Sequence, residues 1–238
     1  MTLHVYVKEN TSKKRRAVQT FSYITLGIGL ILLFWSFYPV ISFELYSRFI
    51  LKNGMQSPVK ETVSSVLGSN DAFSSNLKDF TQAHLWFPGK KTGSDTLLVG
   101  VKQYSITIPK INITKAKVVV GGEDLTQSLV HYLPRSMPGE FGNVAIFGHS
   151  TLPQLYDEKD YKTIFTYLPS LQKGDTVLIT MGDLEYEYEV YDMFVVNPDK
   201  ISVLDQQFDA SYLTLVTCVP PGTFWKRLVI KAKLTKLP

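Results

Sequence analysis

The chain contains one cysteine, Cys218, and four histidines. A single cysteine allows neither an intramolecular disulfide nor a cysteine-rich metal site, so the thiol is free. A free thiol is either an inert core residue or a nucleophile, and a nucleophile needs a base or a cation that stabilises its thiolate. Arg227 follows nine residues later, and His149 directly follows an apolar stretch. These residue types make nucleophilic thiol chemistry a hypothesis to test against the fold.

The segments that carry Cys218 and Arg227 both alternate with a period of two, which is typical of strands. In each segment, leucine and isoleucine fill the face opposite the candidate residue. These apolar faces consist of Leu213 and Leu215 in 212–218 and of Leu228 and Ile230 in 226–234. If both apolar faces line the core, the thiol and the guanidinium point outward and can be neighbours on adjacent strands.

Among the histidines, His149 has the most favourable position for a site. It ends a short apolar strand, 143–147, after Gly148, whose small size allows close approach of the backbone. Taken alone, a histidine in this position is more often structural than catalytic. His131 is predicted to lie in a loop, His84 in a helix before the β-rich region, and His4 in the N-terminal tail.

The wider pattern predicts a mainly β protein. Predicted strands cover 104–108, 117–120, 143–147, 176–180, 184–196, 212–217 and 226–234. A helix is predicted for 164–171, and a short amphipathic helix near 72–86. Many short strands with turn signals and one or two helices indicate a closed or nearly closed β-barrel.

An uncharged stretch, 17–43, precedes this region. As a helix it would be about 40 Å long, enough to cross a hydrocarbon core of roughly 30 Å. It is longer than the apolar core of a signal peptide, so a retained anchor is favoured over a cleaved leader. The basic run 13–16 predicts a cytoplasmic N-terminus, with the remainder outside the membrane.

The predicted organisation is therefore a cytoplasmic tail, a transmembrane helix, an extracytoplasmic spacer and a β-domain. Their respective bounds are 1–19, 20–43, 44–97 and 98–238. The net charge of +4 arises in the tail, because the chain after residue 43 carries 20 basic and 20 acidic side chains. This balance argues against nucleic-acid binding.

The residues Thr214-Leu215-Val216-Thr217-Cys218 resemble the TLxTC signature of sortases, which are cysteine transpeptidases. Gly148-His149 resembles the catalytic histidine of that family, and Arg227 stands where its catalytic arginine stands. The flanking segments 106–111 and 138–143 are similar as well. The resemblance covers 98–238 and implies a closed sortase-type barrel of about eight strands.

The resemblance also implies a mechanism. Cys218 would attack a backbone carbonyl in an LPxTG-like sorting motif and form a thioacyl enzyme, while His149 would transfer protons and Arg227 would stabilise the oxyanion. The two cationic groups would favour the thiolate. Thr217 either assists substrate binding or fills its strand. Val203 and Leu204, in the loop 197–211, either contact the apolar part of the motif or pack the loop.

The implied partners are secreted proteins with an LPxTG-like signal and an amine acceptor, such as a lipid-linked peptidoglycan precursor or a pilin lysine. No cofactor or metal is expected, and calcium dependence stays open. The short loop after Cys218 resembles sortase classes C, D and E. Trp86-Phe87-Pro88-Gly89 can lie near the site, but it is not the Asp-Pro-aromatic lid of pilus-type enzymes. The alternatives are a hydrolytic sortase-like cysteine peptidase and a non-catalytic, wall-binding β-domain.

Overall fold

A computed structural model describes residues 12–49, 81–87 and 100–238. The chain divides into two compact units, Met1–Ser42 and Phe43–Pro238. The first contains most of the helix α1, Ser12–Phe49. Between Arg15 and Ser47 this helix is long and apolar enough to cross a membrane. Most of its large apolar side chains between Val18 and Ile41 are exposed, whereas Phe43, which belongs to the second unit, is buried.

The second unit contains a closed barrel of eight strands. The strands are β1 Gln103–Ile108, β2 Ile113–Val120, β3 Leu129–His131, β4 Gly142–Phe147, β5 Thr176–Met181, β6 Leu184–Val196, β7 Ser211–Val219 and β8 Lys226–Lys236. Around the barrel their order is β1-β2-β3-β4-β7-β8-β6-β5, and β5 pairs with β1 to close it. The pairs β2–β3 and β4–β7 are parallel, and all the others are antiparallel. The prediction of a closed, mainly β barrel is confirmed.

Two apolar clusters lie on opposite sides of the barrel wall. The inner cluster fills the barrel and contains Leu213, Leu215, Leu228 and Ile230. The outer cluster includes Val216, Cys218 and Val229, the residues that alternate with them along the same strands. The wall near Cys218 is therefore buried on both faces.

The structure differs from the sequence-based prediction in its helices. The predicted helix 164–171 is a series of turns that ends in a 3₁₀ turn, Leu168–Ser170. Pro169 contributes to this difference, because proline lacks the backbone N–H that a continuing α-helix needs. The described part of the predicted helix 72–86 forms a 3₁₀ turn, Ala83–Trp86, while 72–80 lie outside the described residues.

Further 3₁₀ turns are Pro109–Ile111, Pro153–Leu155 and Ile201–Leu204. The strand β3 was not predicted, and His131 ends this strand instead of lying in a loop. Three residues are too few for a period of two to be recognised.

Candidate active site

Cys218 and Arg227 lie directly opposite each other on β7 and β8. Directly opposed residues of an antiparallel pair project from the same face of the sheet. Because Leu215 and Ile230 of these strands pack in the inner cluster, the thiol and the guanidinium point to the outer side of the barrel. The predicted orientation and proximity of the two residues are confirmed. Both are nevertheless buried, with exposed fractions of 6% and 1%.

His149 follows β4 at the end of the barrel that also carries Cys218. Three hydrogen bonds join the two segments. Gly148 N donates to Val216 O (3.1 Å), Thr217 Oγ1 donates to Gly148 O (2.8 Å), and Ser150 Oγ donates to Cys218 O (2.6 Å). The backbone on both sides of His149 is thus held against the strand that bears the thiol.

Glycine is required at position 148 for a steric reason. A Cβ atom there would overlap the side chains of Leu129 and Phe165, both of which are fully buried. Substitution would therefore push the start of the His149 segment away from β7. The expectation that this glycine permits close approach is confirmed.

The protonation state of the thiol differs from the sequence-based expectation. Burial raises the pKa of Cys218 to about 11, and the nearby Arg227 cation lowers it by a smaller amount. Arg227 acts in the expected direction, but loss of hydration opposes the thiolate more strongly. The thiol is therefore neutral at physiological pH in this closed arrangement, because burial outweighs the stabilisation of the thiolate that Arg227 provides.

Burial lowers the pKa of His149 to about 4, with Asp124 and Asp160 opposing the shift. The imidazole is thus neutral at pH 7. Its Nε2 atom is buried and has no hydrogen-bond partner among the described residues. A neutral ring with an unpaired nitrogen can accept a proton or donate one to a ligand.

The Arg227 guanidinium is held by backbone carbonyls of its own hairpin. Its Nη1 donates to Phe224 O (2.9 Å) and to Lys226 O (3.3 Å). Its Nε is buried and has no hydrogen-bond partner in the described part of the chain. Burial also lowers the pKa of Arg227 from its ordinary value. A positioned cation with an unused donor can stabilise negative charge that develops beside it.

Trp86 covers both polar groups from the outside. Its ring centroid is 5.3 Å from Arg227 Cζ and 5.6 Å from the His149 ring. It also stacks on Phe147 of β4 at 5.5 Å, and no part of it is exposed. The segment 81–87 that carries it is held by Ala83 N donating to the Glu123 carbonyl (3.0 Å). The sequence indicated that this segment can lie near the site, but not that it closes it.

Thr217 is fully buried and uses its hydroxyl on Gly148 O. Val203 and Leu204 belong to the outer cluster together with Cys218, with exposed fractions of 7% and 5%. The structure thus brings the loop residues to the same outer face as the thiol. Their contact with a substrate stays a prediction.

Two other histidines, His84 and His131, make different contacts. The Nδ1 atom of His84 lies 3.0 Å from Glu123 Oε2. His131 is fully buried, and both of its ring nitrogens lack hydrogen-bond partners among the described residues. Its ring packs edge-on against Tyr104 at a centroid distance of 5.9 Å. His4 lies outside the described residues.

A closed barrel with a cysteine, an arginine and a histidine gathered at one end of its outer face defines a candidate thiol enzyme. The Sortase domain family matches residues 106–235, more than half of the chain. The chain therefore belongs to the sortase family of cysteine transpeptidases.

Among its relatives is Sortase D of Bacillus subtilis (strain 168), 29% identical over 133 residues, which are 54% of this chain and 61% of that protein. The chain thus spans less than two thirds of the length of this curated relative.

The solved structures that are similar to the chain include the following two. A lid mutant of sortase A from Corynebacterium diphtheriae is 27% identical with a TM-score of 0.50, covering 58% of this chain and 72% of that one. Sortase C1 from Streptococcus agalactiae is also 27% identical with a TM-score of 0.50, covering 61% of this chain and 74% of that one.

Proposed function

We propose that the chain is a membrane-anchored sortase that cleaves an LPxTG-like sorting signal and transfers the resulting acyl group from Cys218 to an amine. One observation carries the proposal: Cys218 lies directly opposite Arg227, and the strand that bears Cys218 is hydrogen-bonded to the segment that bears His149. A nucleophile, a proton carrier and an oxyanion donor are the three groups that acyl transfer requires.

The reaction starts from a neutral thiol and a neutral imidazole, because burial opposes charge on both. His149 takes the thiol proton as Sγ attacks the carbonyl carbon of the donor peptide. Arg227 donates to the oxyanion of the tetrahedral intermediate. The imidazolium then protonates the leaving nitrogen as the carbon–nitrogen bond breaks, which leaves a thioester on Cys218.

The second half of the reaction reverses the roles. His149 removes a proton from the incoming amine, which attacks the thioester carbonyl, and the sulfur leaves and regains its proton. Thr217 supports this exchange through Gly148, next to His149. Val203 and Leu204 would contact the apolar part of the sorting signal, since they belong to the same outer cluster as Cys218.

The anchoring part of the proposal rests on α1. Its apolar stretch and the basic residues before it favour a cytoplasmic N-terminus and an extracytoplasmic barrel. The donors would then be secreted proteins with sorting signals. The acceptor would be an amine at the cell surface, such as a lipid-linked peptidoglycan precursor or a pilin lysine.

The test uses the full chain in detergent with a fluorogenic LPxTG-like peptide and a small primary amine. We expect cleavage, a product whose mass includes the amine, and loss of both in Cys218→Ala. A product that ends only in a free carboxylate would favour a hydrolytic peptidase. Binding of the peptide without turnover would favour a non-catalytic binding domain. Undiminished turnover by Cys218→Ala would exclude the proposed mechanism.

A further inference from the structure

Lys231 lies on the outer face of β8, the same face as Arg227. It stands opposite Thr214 of β7, while Arg227 stands opposite Cys218. Its Nζ donates to Val203 O (2.6 Å) and to Thr214 Oγ1 (2.8 Å). The ammonium group therefore joins the barrel wall to the 3₁₀ turn Ile201–Leu204 of the loop between β6 and β7.

The hydrogen bonds continue from Lys231 to a second point of the same loop. Thr214 Oγ1 donates to Asn143 Oδ1 (2.5 Å), and Asn143 Nδ2 donates to Asp205 O (3.2 Å). Gln206 adds two bonds to the backbone of Asn143, at 2.8 and 2.9 Å. Lys231 donates to Thr214, Thr214 to Asn143, and Asn143 to Asp205. Because each residue donates to the next in this series, each hydrogen bond strengthens the next.

A partly buried ammonium is an expensive way to hold a loop, because an apolar residue of similar size would avoid the cost of removing the charge from water. The turn that it holds presents Val203 and Leu204 to the outer cluster beside Cys218. On its other side the turn borders a cavity of about 260 Å³ that Val203 and Lys231 help to line. The turn thus has room to shift if the hydrogen bonds are lost.

We propose that Lys231 is a positioning residue that sets the wall of the donor-peptide groove beside Cys218, and so governs affinity for the sorting signal without taking part in the chemical step. This inference rests on the proposed function, since it concerns the substrate of the same site. We call the hydrogen-bonded set formed by Lys231, Thr214, Asn143 and Gln206 the loop clamp.

The loop clamp responds to pH near neutrality. Burial lowers the pKa of Lys231 to about 8, and Asp205 opposes that shift. The titratable side chains that line the same cavity are Asp205, Asp192, Lys200 and Tyr191. Of these, Asp192 already pairs with Lys173 at 3.0 Å. Lys231 loses its charge as the pH rises through about 8, and hydrogen bonds from a neutral amine are weaker.

The matched control is Lys233, two residues further along the same face of β8. It is exposed and lies over the Tyr212 ring, with Nζ 5.9 Å from the ring centroid. Among the described hydrogen bonds, none joins its side chain to the loop. Lys233→Met therefore removes an outer-face charge from the same strand and leaves the loop clamp intact.

The kinetic test compares the full chain with Lys231→Met, Lys231→Arg and Lys233→Met, using the fluorogenic peptide in detergent. We expect Lys231→Met to raise KM about tenfold, as for loss of a charged hydrogen bond, with kcat within about twofold. Lys231→Arg should recover part of the affinity and Lys233→Met should change neither constant. The KM of the wild type should rise above pH 8, and that of Lys231→Arg should not, because arginine stays charged.

Amide hydrogen exchange of residues 201–206 gives a readout that does not depend on activity. Exchange should be faster in Lys231→Met than in the wild type and in Lys233→Met. Unchanged exchange would overturn the loop clamp, and faster exchange with an unchanged KM, or with a fall in kcat alone, would overturn its role in substrate affinity. If the wild type does not turn over the peptide, the proposed function fails, while exchange still decides whether Lys231 holds the loop.

Discussion

The two faces of the β7–β8 hairpin are both buried, but they are buried by different parts of the chain. On the inner face, Leu215 and Ile230 pack among residues of the other strands. On the outer face, Cys218 belongs to a cluster completed by residues brought from elsewhere, including Trp86 and Leu204. Closure of the barrel suffices to bury the first face, whereas the second needs two separate segments. Substitutions on the inner face should therefore lower the stability of the fold. Substitutions on the outer face should alter catalysis and the access of solvent and reagents to Cys218.

The largest difference between the effect on catalysis and the effect on stability is expected for Arg227→Met, on the outer face. Loss of the oxyanion donor should lower kcat by about 10²–10³-fold. The unfolding temperature should stay the same or rise, because Arg227 has no acidic partner among the described salt bridges and a buried charge without a counter-ion costs stability. Peptide cleavage and thermal unfolding in the same detergent measure the two effects.

Arg227→Lys is the second variant for this position. It keeps the charge but loses the planar, forked donor geometry of the guanidinium, so we expect it to remain strongly impaired. Wild-type activity in either variant would mean that Arg227 serves only the packing of the outer face.

A loss of stability without a loss of catalysis is expected for Leu215→Ala, because Leu215 lies on the inner face of the same hairpin. Truncation of a fully buried leucine should lower the free energy of unfolding by about 2–5 kcal/mol. The kcat of the molecules that remain folded should be unchanged. Denaturant unfolding and active-site titration measure the two quantities, with Leu184→Ala, at an exposed position on β6, as the control. A fall in kcat without a loss of stability would erase the distinction between the faces.

The inner face of the hairpin could be predicted from sequence, because Leu213 and Leu215 share one face of their strand and Cys218 lies on the other. The pairing of Cys218 with Arg227 followed from the same alternation and a short connection. The cover over the outer face could not be predicted, since no local pattern reports that Trp86 packs on Arg227. The neutral thiol was missed for a related reason: its pKa depends on burial, and distant segments contribute to the outer cluster around it.

The next comparison concerns two histidines on different sides of the barrel wall. His131 pairs with Ile146 of the inner cluster, and burial lowers its pKa to about 3, whereas His149 lies at the outer site with a pKa of about 4. An unfolded imidazole takes up a proton below its usual pKa of about 6.5, but the folded His131 does not until about pH 3. Stability is therefore lost as the pH falls from 6.5 towards 3.

His131→Leu should remove part of this acid sensitivity. The wild type should lose roughly 2–3 kcal/mol of unfolding free energy through His131 between pH 7.5 and pH 4.5, and the variant should not lose this contribution. Unfolding by denaturant at the two pH values measures the difference. Turnover at pH 7.5 should be the same per folded molecule in both proteins. Equal acid sensitivity of the two proteins would show that His131 is protonated without cost inside the barrel.

The smallest effect is expected from opening the cover with Trp86→Ala. Trp86 packs on Arg227 and shares the outer cluster with Cys218, so we expect removal of the ring to admit water there and to lower the pKa of Cys218 from about 11. A decrease of about one unit would raise the rate of thiol alkylation at pH 8 roughly tenfold, because the thiolate is the reactive form. Leu85→Ala is the control, since Leu85 lies in the same turn but is exposed. An equal rate in the two variants would mean that Trp86 does not limit access, and that the burial of Cys218 comes from its own strand and the loop above it.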